Sequence, residues 1–132
     1  MAQNPRIRID PASGIPAVRQ IADSLRVLFV EGQLVPGTPL PSVRRVAMEL
    51  GVHFNTVAEA YRQMATEGWL DLKHGRGAVV VSRVAPAVKN EAWTKDFRNR
   101  LRGIMAQMRS QGISAASIAA ELRAMAKEVT RT

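Results

Sequence analysis

Two short segments of the sequence carry amide, hydroxyl and guanidinium side chains next to positions where a helix can begin. Ser42, Arg44 and Arg45 follow a proline-rich stretch, and Asn55 and Thr56 come shortly after them. Asn and Arg side chains form paired hydrogen bonds with the edges of adenine and guanine, and all of these groups can bond phosphate oxygens. Side chains of these types therefore favour recognition of a polyanion over covalent chemistry.

Groups suited to catalysis or metal binding are scarce. The 132 residues include no Cys and only two His, His53 and His74, and no carboxylate is placed to complete a site with either. No nucleophile–base pair, carboxylate pair or phosphate-binding loop is evident. We therefore expect no enzymatic activity, no catalytic residue, no bound metal and no cofactor.

The formal net charge of +8, from 19 basic and 11 acidic residues, suits a polyanionic partner because binding releases counterions. The excess of basic over acidic residues is not confined to one part of the chain. Residues 1–85 contain 10 basic and 7 acidic side chains, and residues 86–132 contain 9 and 4. Net charge thus favours a class of partner without locating the binding surface.

The sequence contains no apolar run close to the ~20 residues that cross a bilayer. The N-terminal residues also lack the apolar core and cleavage pattern of a signal peptide. We expect a cytoplasmic protein with no membrane partner.

The first helix is predicted from Pro16 to near Gly32, because apolar residues recur there at spacings of three and four. Before this helix, Ile7 and Ile9 alternate with Arg6 and Arg8, which predicts a short strand. Three prolines in residues 34–41 exclude a helix in the segment that follows. The residues of the apolar stripe are Val18, Ile21, Ala22, Leu25, Leu28 and Phe29.

A helix–turn–helix is predicted next. Ser42 is a good N-cap for a short helix that ends at Gly51, where a positive φ would allow a sharp exit. A third helix begins near Phe54 and ends at Gly68. Its predicted inner face consists of Val57, Ala60, Tyr61 and Met64.

Two β-prone runs, 69–72 and 78–82, surround a glycine-containing turn and predict a hairpin. The predicted fold is mainly α with a small β-hairpin (α+β): a winged helix-turn-helix domain over residues 1–85. In this arrangement the first turn of the third helix enters a major groove of DNA. The residues placed there are His53, Phe54, Asn55 and Thr56.

Residues 86–132 are predicted to form a two-helix dimerisation and regulatory segment, in which Ser114 can cap the second helix. A pair of helices has more apolar surface than it can bury by itself, so we expect a second copy to cover it. The residues expected at this dimer interface are Trp93, Phe97, Leu101, Ile104, Met108, Ile118, Leu122 and Met125.

The residues PLPSVRRVAMELGVHFNTVAEAYRQMATEGWL and KHGRGAVVV closely resemble the N-terminal domain of GntR-type regulators. Upstream, IDPASGIPAVRQIADSLR resembles the YtrA-like subfamily, whose short two-helix tails the chain also matches in length. The resemblance implies DNA contacts from the P-S-x-R stretch, the start of the third helix and the hairpin tip. The implied DNA-binding residues are Ser42, Arg44, Arg45, His53, Phe54, Asn55, Thr56, His74, Gly75 and Arg76.

The chain departs from the family at the start of the third helix. His53 stands where relatives often have Ser, Thr or Asn, and Phe54 and Ala58 stand where many have Arg. Asn55 either contacts a base or caps the helix, and Thr56 either bonds a phosphate or caps it. Phe54 is placed to contact a thymine methyl group. These departures affect the preferred base sequence more than DNA binding itself.

We therefore predict a sequence-specific transcriptional regulator, a repressor that binds double-stranded operator DNA of inverted-repeat symmetry as a homodimer. The alternative is a non-specific architectural nucleic-acid-binding module or a protein-interaction winged helix. A small-molecule effector, where one exists, would bind at the dimer interface or between tail and hairpin, because the tail is too small to enclose one.

Overall fold

The computed structural model describes residues 7–72, 77–83 and 91–131, without the side chain of Trp93. The chain divides into two compact units, Met1–Val84 and Ala85–Thr132. No helix in the described ranges is long and apolar enough to cross a membrane. The elements are α1 (Ala17–Val30), α2 (Val43–Leu50), α3 (Phe54–Thr66), β1 (Leu70–Asp71), β2 (Val79–Val80), α4 (Glu91–Ser110) and α5 (Ala115–Arg131).

The core of the first unit lies between α1, α2 and α3. The predicted stripe of α1 is buried from Ile21 to Phe29, and Val18 packs against the same core. All four residues of the predicted inner face of α3 are buried, with Val57 and Met64 at 0% exposure. Each such aliphatic side chain contributes about 1.5–3 kcal/mol by leaving water. This core fixes α3 relative to the other two helices.

The turn between α2 and α3 has the predicted geometry. Ser42 caps α2 by accepting a hydrogen bond from the Arg45 backbone N–H at 3.1 Å. Gly51 ends α2 at a φ of 68°, and Val52 N–H donates to the Ala47 carbonyl at 3.1 Å. A side chain at position 51 would strain this left-handed conformation. The partly buried Val52 packs against the core at this turn.

The predicted hairpin is present, and its strands are shorter than predicted. β1 and β2 are antiparallel, with Leu70 opposite Val80 and Asp71 opposite Val79. The proline-rich segment lies along the other edge of β2, where Pro39 pairs with Val79. Val80 N–H donates to the Thr38 carbonyl at 2.9 Å. The proline-rich segment thus pairs with the sheet as a third chain segment, whereas its sequence predicted only that it is not helical.

The prediction of a strand at Ile7 and Ile9 is wrong. The two isoleucines pack against the core, while the backbone beside them bonds to side chains of α1 and not to a strand. Arg8 N–H donates to Ser24 Oγ at 3.2 Å. Gln20 Nε2 donates to the Asp10 carbonyl at 3.1 Å, which leaves this segment tied to a helix surface.

The second unit consists of α4 and α5, joined by a turn in which Gly112 has a φ of 90°. Ser114 caps α5 as predicted, accepting from the Ser117 N–H at 3.1 Å. Ile118 is buried, whereas Met105, Met108 and Ile113 are half-buried. Most other side chains of these helices are exposed.

Candidate nucleic-acid interface

His53 caps α3. Its backbone is extended, and its Nδ1 accepts a hydrogen bond from the Asn55 backbone N–H at 3.1 Å. A neutral imidazole that accepts at Nδ1 carries its proton on Nε2. The exposed ring therefore has two functions: Nδ1 holds the helix cap, and the Nε2–H can donate to a phosphate or to a base acceptor.

The large apolar side chain of Phe54 is 51% exposed at the start of α3. Its ring stacks on the His53 ring, with centroids 5.0 Å apart and an interplanar angle of 27°. The two rings form a single aromatic surface at the start of α3. Such a surface can contact a thymine methyl group, as expected for Phe54.

Asn55 contributes its backbone N–H to the cap and exposes its side chain, which has no hydrogen bond to another described residue. Thr56 is half-buried, and its N–H donates to the His53 carbonyl at 3.0 Å. The helix start is thus capped by His53, and the amide of Asn55 remains available for an external partner. Unpaired N–H groups of the first turn add a preference for anions.

The N-terminus of α2 carries Ser42, Arg44 and Arg45, all exposed. Ser42 Oγ is occupied as an acceptor by the cap of α2. Arg45 pairs with Glu49 at 3.1 Å in an exposed i,i+4 ion pair, which is worth at most a few tenths of a kcal/mol and opens easily. Arg44 has no ion pair within the described ranges, so its guanidinium is available for an external anion.

The hairpin tip, His74-Gly75-Arg76, lies outside the described residues. Its flanks are described: β1 ends at Asp71, and Gly77 leads into β2 with a φ of 74°.

The hydroxyl of Tyr61, the only Tyr in the chain, has a structural role that the residue pattern did not predict. It donates to the Pro41 carbonyl at 2.7 Å and so fixes the segment leading into α2 against α3. Burial, with the charge of Glu49 adding to it, raises the pKa of Tyr61, which keeps the hydroxyl a donor. A signal existed, since a Tyr on an otherwise aliphatic inner face needs a polar partner.

A second missed feature holds the C-terminal end of α3. Arg26 forms a two-pronged pair with Glu67, Nε to Oε1 at 3.0 Å and Nη2 to Oε2 at 2.6 Å. The hydrogen bond from Arg26 is the largest cause of a pKa of Glu67 below its ordinary 4.5. Because these residues are 41 positions apart, no local pattern could have indicated the pair.

Next to this pair, Arg83 Nε donates to the Glu67 carbonyl at 2.7 Å, and the guanidinium lies 4.5 Å from the centroid of Trp69. Trp69 in turn stacks on Phe29 at 4.9 Å with parallel rings. The stack ties the end of the hairpin to α1. Together with the bond from Tyr61, it connects the segments before and after the helix–turn–helix to its helices.

The residues expected at a dimer interface differ in exposure. Ile118 is only 6% exposed in the single chain, so it has little surface left for a second copy. Met108 is half-buried, and the side chain of Trp93 lies outside the described part of the molecule. The remaining five are exposed: Phe97 40%, Leu101 55%, Ile104 54%, Leu122 43% and Met125 54%.

Three helices with a capped, exposed third-helix start, followed by a hairpin, define a winged helix-turn-helix, as predicted. The family model for bacterial regulatory proteins of the gntR family matches residues 17–80. The structure of YtrA from Sulfolobus acidocaldarius, a GntR-family transcription factor, is 36% identical, with a TM-score of 0.54 over 94% of this chain and 99% of that one. The chain therefore belongs to the GntR family of transcription regulators, and its resemblance to YtrA-like members is confirmed.

Two relatives from Bacillus subtilis (strain 168) are similar in sequence. The transcriptional repressor YtrA is 38% identical over 74 residues, 56% of this chain and 57% of that protein. The transcriptional regulator YhcF is 31% identical over 102 residues, 77% of this chain and 83% of that protein. The match thus spans little more than half of the first relative and most of the second.

Proposed function

We propose that this protein is a sequence-specific transcriptional repressor that binds operator DNA in the cytoplasm as a homodimer. One observation carries the proposal: the start of α3 exposes Phe54 and the Asn55 amide beside an exposed His53 that caps the helix through Nδ1. A first helical turn with free base-recognition groups is what a major-groove contact requires. The repressor assignment follows the similar Bacillus protein named as one.

Each proposed contact has a distinct role. Asn55 contacts an adenine edge, and Phe54 contacts a thymine methyl group. Arg44 binds a phosphate or a guanine, while Ser42, Arg45, His53 and Thr56 bind the backbone and fix the register. At the hairpin tip, Gly75 allows close approach to the minor groove, and His74 and Arg76 supply a donor and a cation.

Dimerisation is proposed through the apolar sides of α4 and α5. Phe97, Leu101 and Ile104 on α4 recur at spacings of four and three residues, so they share one side of the helix. Leu122, Met125 and Val129 do the same on α5. A second copy of the same surface would cover both, and the two-fold symmetry would make the operator an inverted repeat.

The test begins with selection of bound fragments from fragmented genomic DNA by the purified full chain. We expect an inverted repeat that is bound at least ~10³ times more tightly than random duplex at physiological salt. Equal affinity for both duplexes would contradict the proposal and favour an architectural protein.

Alanine variants then test the contacts. Arg44→Ala and Asn55→Ala should each weaken binding to the selected duplex by about 1–3 kcal/mol. Arg100→Ala and Asn99→Ala, exposed residues of the same types on α4, are the matched controls. Wild-type affinity in both test variants would mean that the start of α3 and the N-terminus of α2 do not contact the DNA.

A further inference from the structure

Four cations lie along one side of α4. Lys95, Arg98, Arg102 and Arg109 are all exposed. At 3.6 residues per turn they fall within about 60° of one another around the helix axis. Between Lys95 and Arg109 this side carries no carboxylate, and Glu91 lies one turn before it. We call these four residues the α4 basic arc.

A second set lies on α5. Arg123, Lys127 and Arg131 are exposed and follow one another at intervals of four residues, which places them within about 80° of one another. We call them the α5 basic arc. The two arcs contain seven of the nine basic residues in 86–132. The surplus charge of the tail is therefore concentrated on two helix surfaces.

Both arcs point away from the apolar sides of their own helices. The mean direction of Phe97, Leu101 and Ile104 is roughly 120° from that of the α4 basic arc, and the corresponding angle on α5 is roughly 170°. A second copy seated on the apolar sides would leave both arcs uncovered. The arcs and the dimer surface are thus independent features.

The cations of the arcs are not neutralised locally. None of the seven forms an ion pair with another residue in the described ranges, whereas Arg100, outside the arc, pairs with Asp96 at 3.0 Å and lies 5.1 Å from the Phe97 centroid. Like charges three and four positions apart destabilise a helix slightly. A bound polyanion would offset this repulsion and release counterions.

We propose that the basic arcs of the tail bind the phosphate backbone of duplex DNA that flanks the operator. The inference rests on the proposed operator binding, which tethers the tail near the duplex and raises its local concentration. An anionic membrane is disfavoured as the partner, because an interfacial helix would have to insert the apolar side that the second copy occupies. Phosphates of either DNA strand suffice, so no base sequence is required in the flanks.

The experiment uses the full chain and two duplexes. One contains only the inverted repeat selected from genomic fragments, and the other extends that repeat by about 15 base pairs on each side. Wild type should bind the long duplex about tenfold or more tightly than the short one at low salt. In the triple variant Lys95→Gln/Arg98→Gln/Arg102→Gln this difference should become clearly smaller, since Gln keeps helix propensity but removes three of the seven arc charges.

A matched pair of single variants measures one contact. For Arg102→Gln, the slope of log K against log salt on the long duplex should fall by about 0.9. For Arg100→Gln, on the same helix but outside the arc, it should stay at the wild-type value. All variants should sediment like wild type.

The failures are separable. If no inverted repeat is selected, both the operator proposal and this inference fail. If wild type binds the selected repeat but gains nothing from the flanks, this inference alone is overturned. Equal weakening on the short and long duplexes, conversion of the triple variant to monomer, or a charge-dependent affinity for phosphatidylglycerol vesicles without a flank effect would each overturn it as well.

Discussion

At the scale of single residues, His53 has two roles on opposite sides of one ring. Nδ1 caps α3 by accepting from the Asn55 N–H, and Nε2 remains a donor. The sequence alone left open whether Asn55 or Thr56 also served as caps. Which side chain accepts the bond depends on the backbone conformation at the turn, which residue types alone do not determine.

Substitution of His53 separates its two roles. Asn is a good N-cap, so His53→Asn should keep the free energy of unfolding near wild type, whereas His53→Ala should lower it by about 1 kcal/mol. Both should weaken operator binding, because Ala has no donor and the N–H donors of the shorter Asn side chain do not reach as far as Nε2. Urea unfolding and fluorescence anisotropy would measure the two effects. Equal destabilisation by Asn and Ala would show that the Nδ1 bond is not the cap.

The ion pair of Glu67 with Arg26 should make the stability of the protein depend on pH. The pKa of Glu67 in the folded protein lies below the ordinary 4.5 because Arg26 donates to this carboxylate. The unfolded state therefore takes up the proton first as the pH falls, and the stabilisation is lost from about pH 4.5 downward. The unfolding free energies of wild type and Glu67→Gln should converge over this range. A difference that stays constant down to low pH would rule out the ion pair as its source.

At the scale of elements, local signals predicted α2 and α3 well. Ser42, Gly51 and the inner face of α3 act within one or two helical turns, so their residue types determine what they do. The errors concern long-range pairing. The backbone at Ile7 and Ile9 found partners on α1, and Pro39 pairs with Val79, forty residues away. No spacing pattern contains that information.

The bond from Tyr61 to Pro41 connects two of these elements. Tyr61→Phe removes the donor and leaves the Pro41 carbonyl without it, which should lower the free energy of unfolding by about 0.5–1.5 kcal/mol. Because this bond fixes the entry of α2 against α3, affinity for the operator should fall as well. Thr66→Val is a suitable control, since it also removes a side chain–backbone bond on α3 but near the other end of the helix. A Tyr61→Phe variant with wild-type stability and affinity would show that the Pro41 carbonyl finds another partner.

At the scale of the whole molecule, the sequence predicted the five helices and the hairpin of the described ranges, and it placed apolar residues on the tail helices. It did not distinguish Ile118, which is covered within the single chain, from Ile104, which is not. Helical periodicity gives the side of a helix but not what packs against it. The exposed apolar residues of α4 and α5 are therefore the ones that can contact a second copy.

Ile104 provides the sharpest test of assembly. Its side chain is 54% exposed on the apolar side of α4, so Ile104→Glu should leave the monomer folded while placing a charge in the proposed dimer surface, where burial without a partner costs several kcal/mol. Sedimentation at micromolar concentration should then show a monomer where wild type shows a dimer. Operator affinity should fall steeply, because each half-site would be bound independently.

Gln107→Glu adds the same charge to an exposed residue one turn away and off the apolar side, and it should remain dimeric. A wild-type chain that is already monomeric, or an Ile104→Glu variant that still dimerises, would move the assembly surface away from α4, and the inverted-repeat operator would then need another source of symmetry.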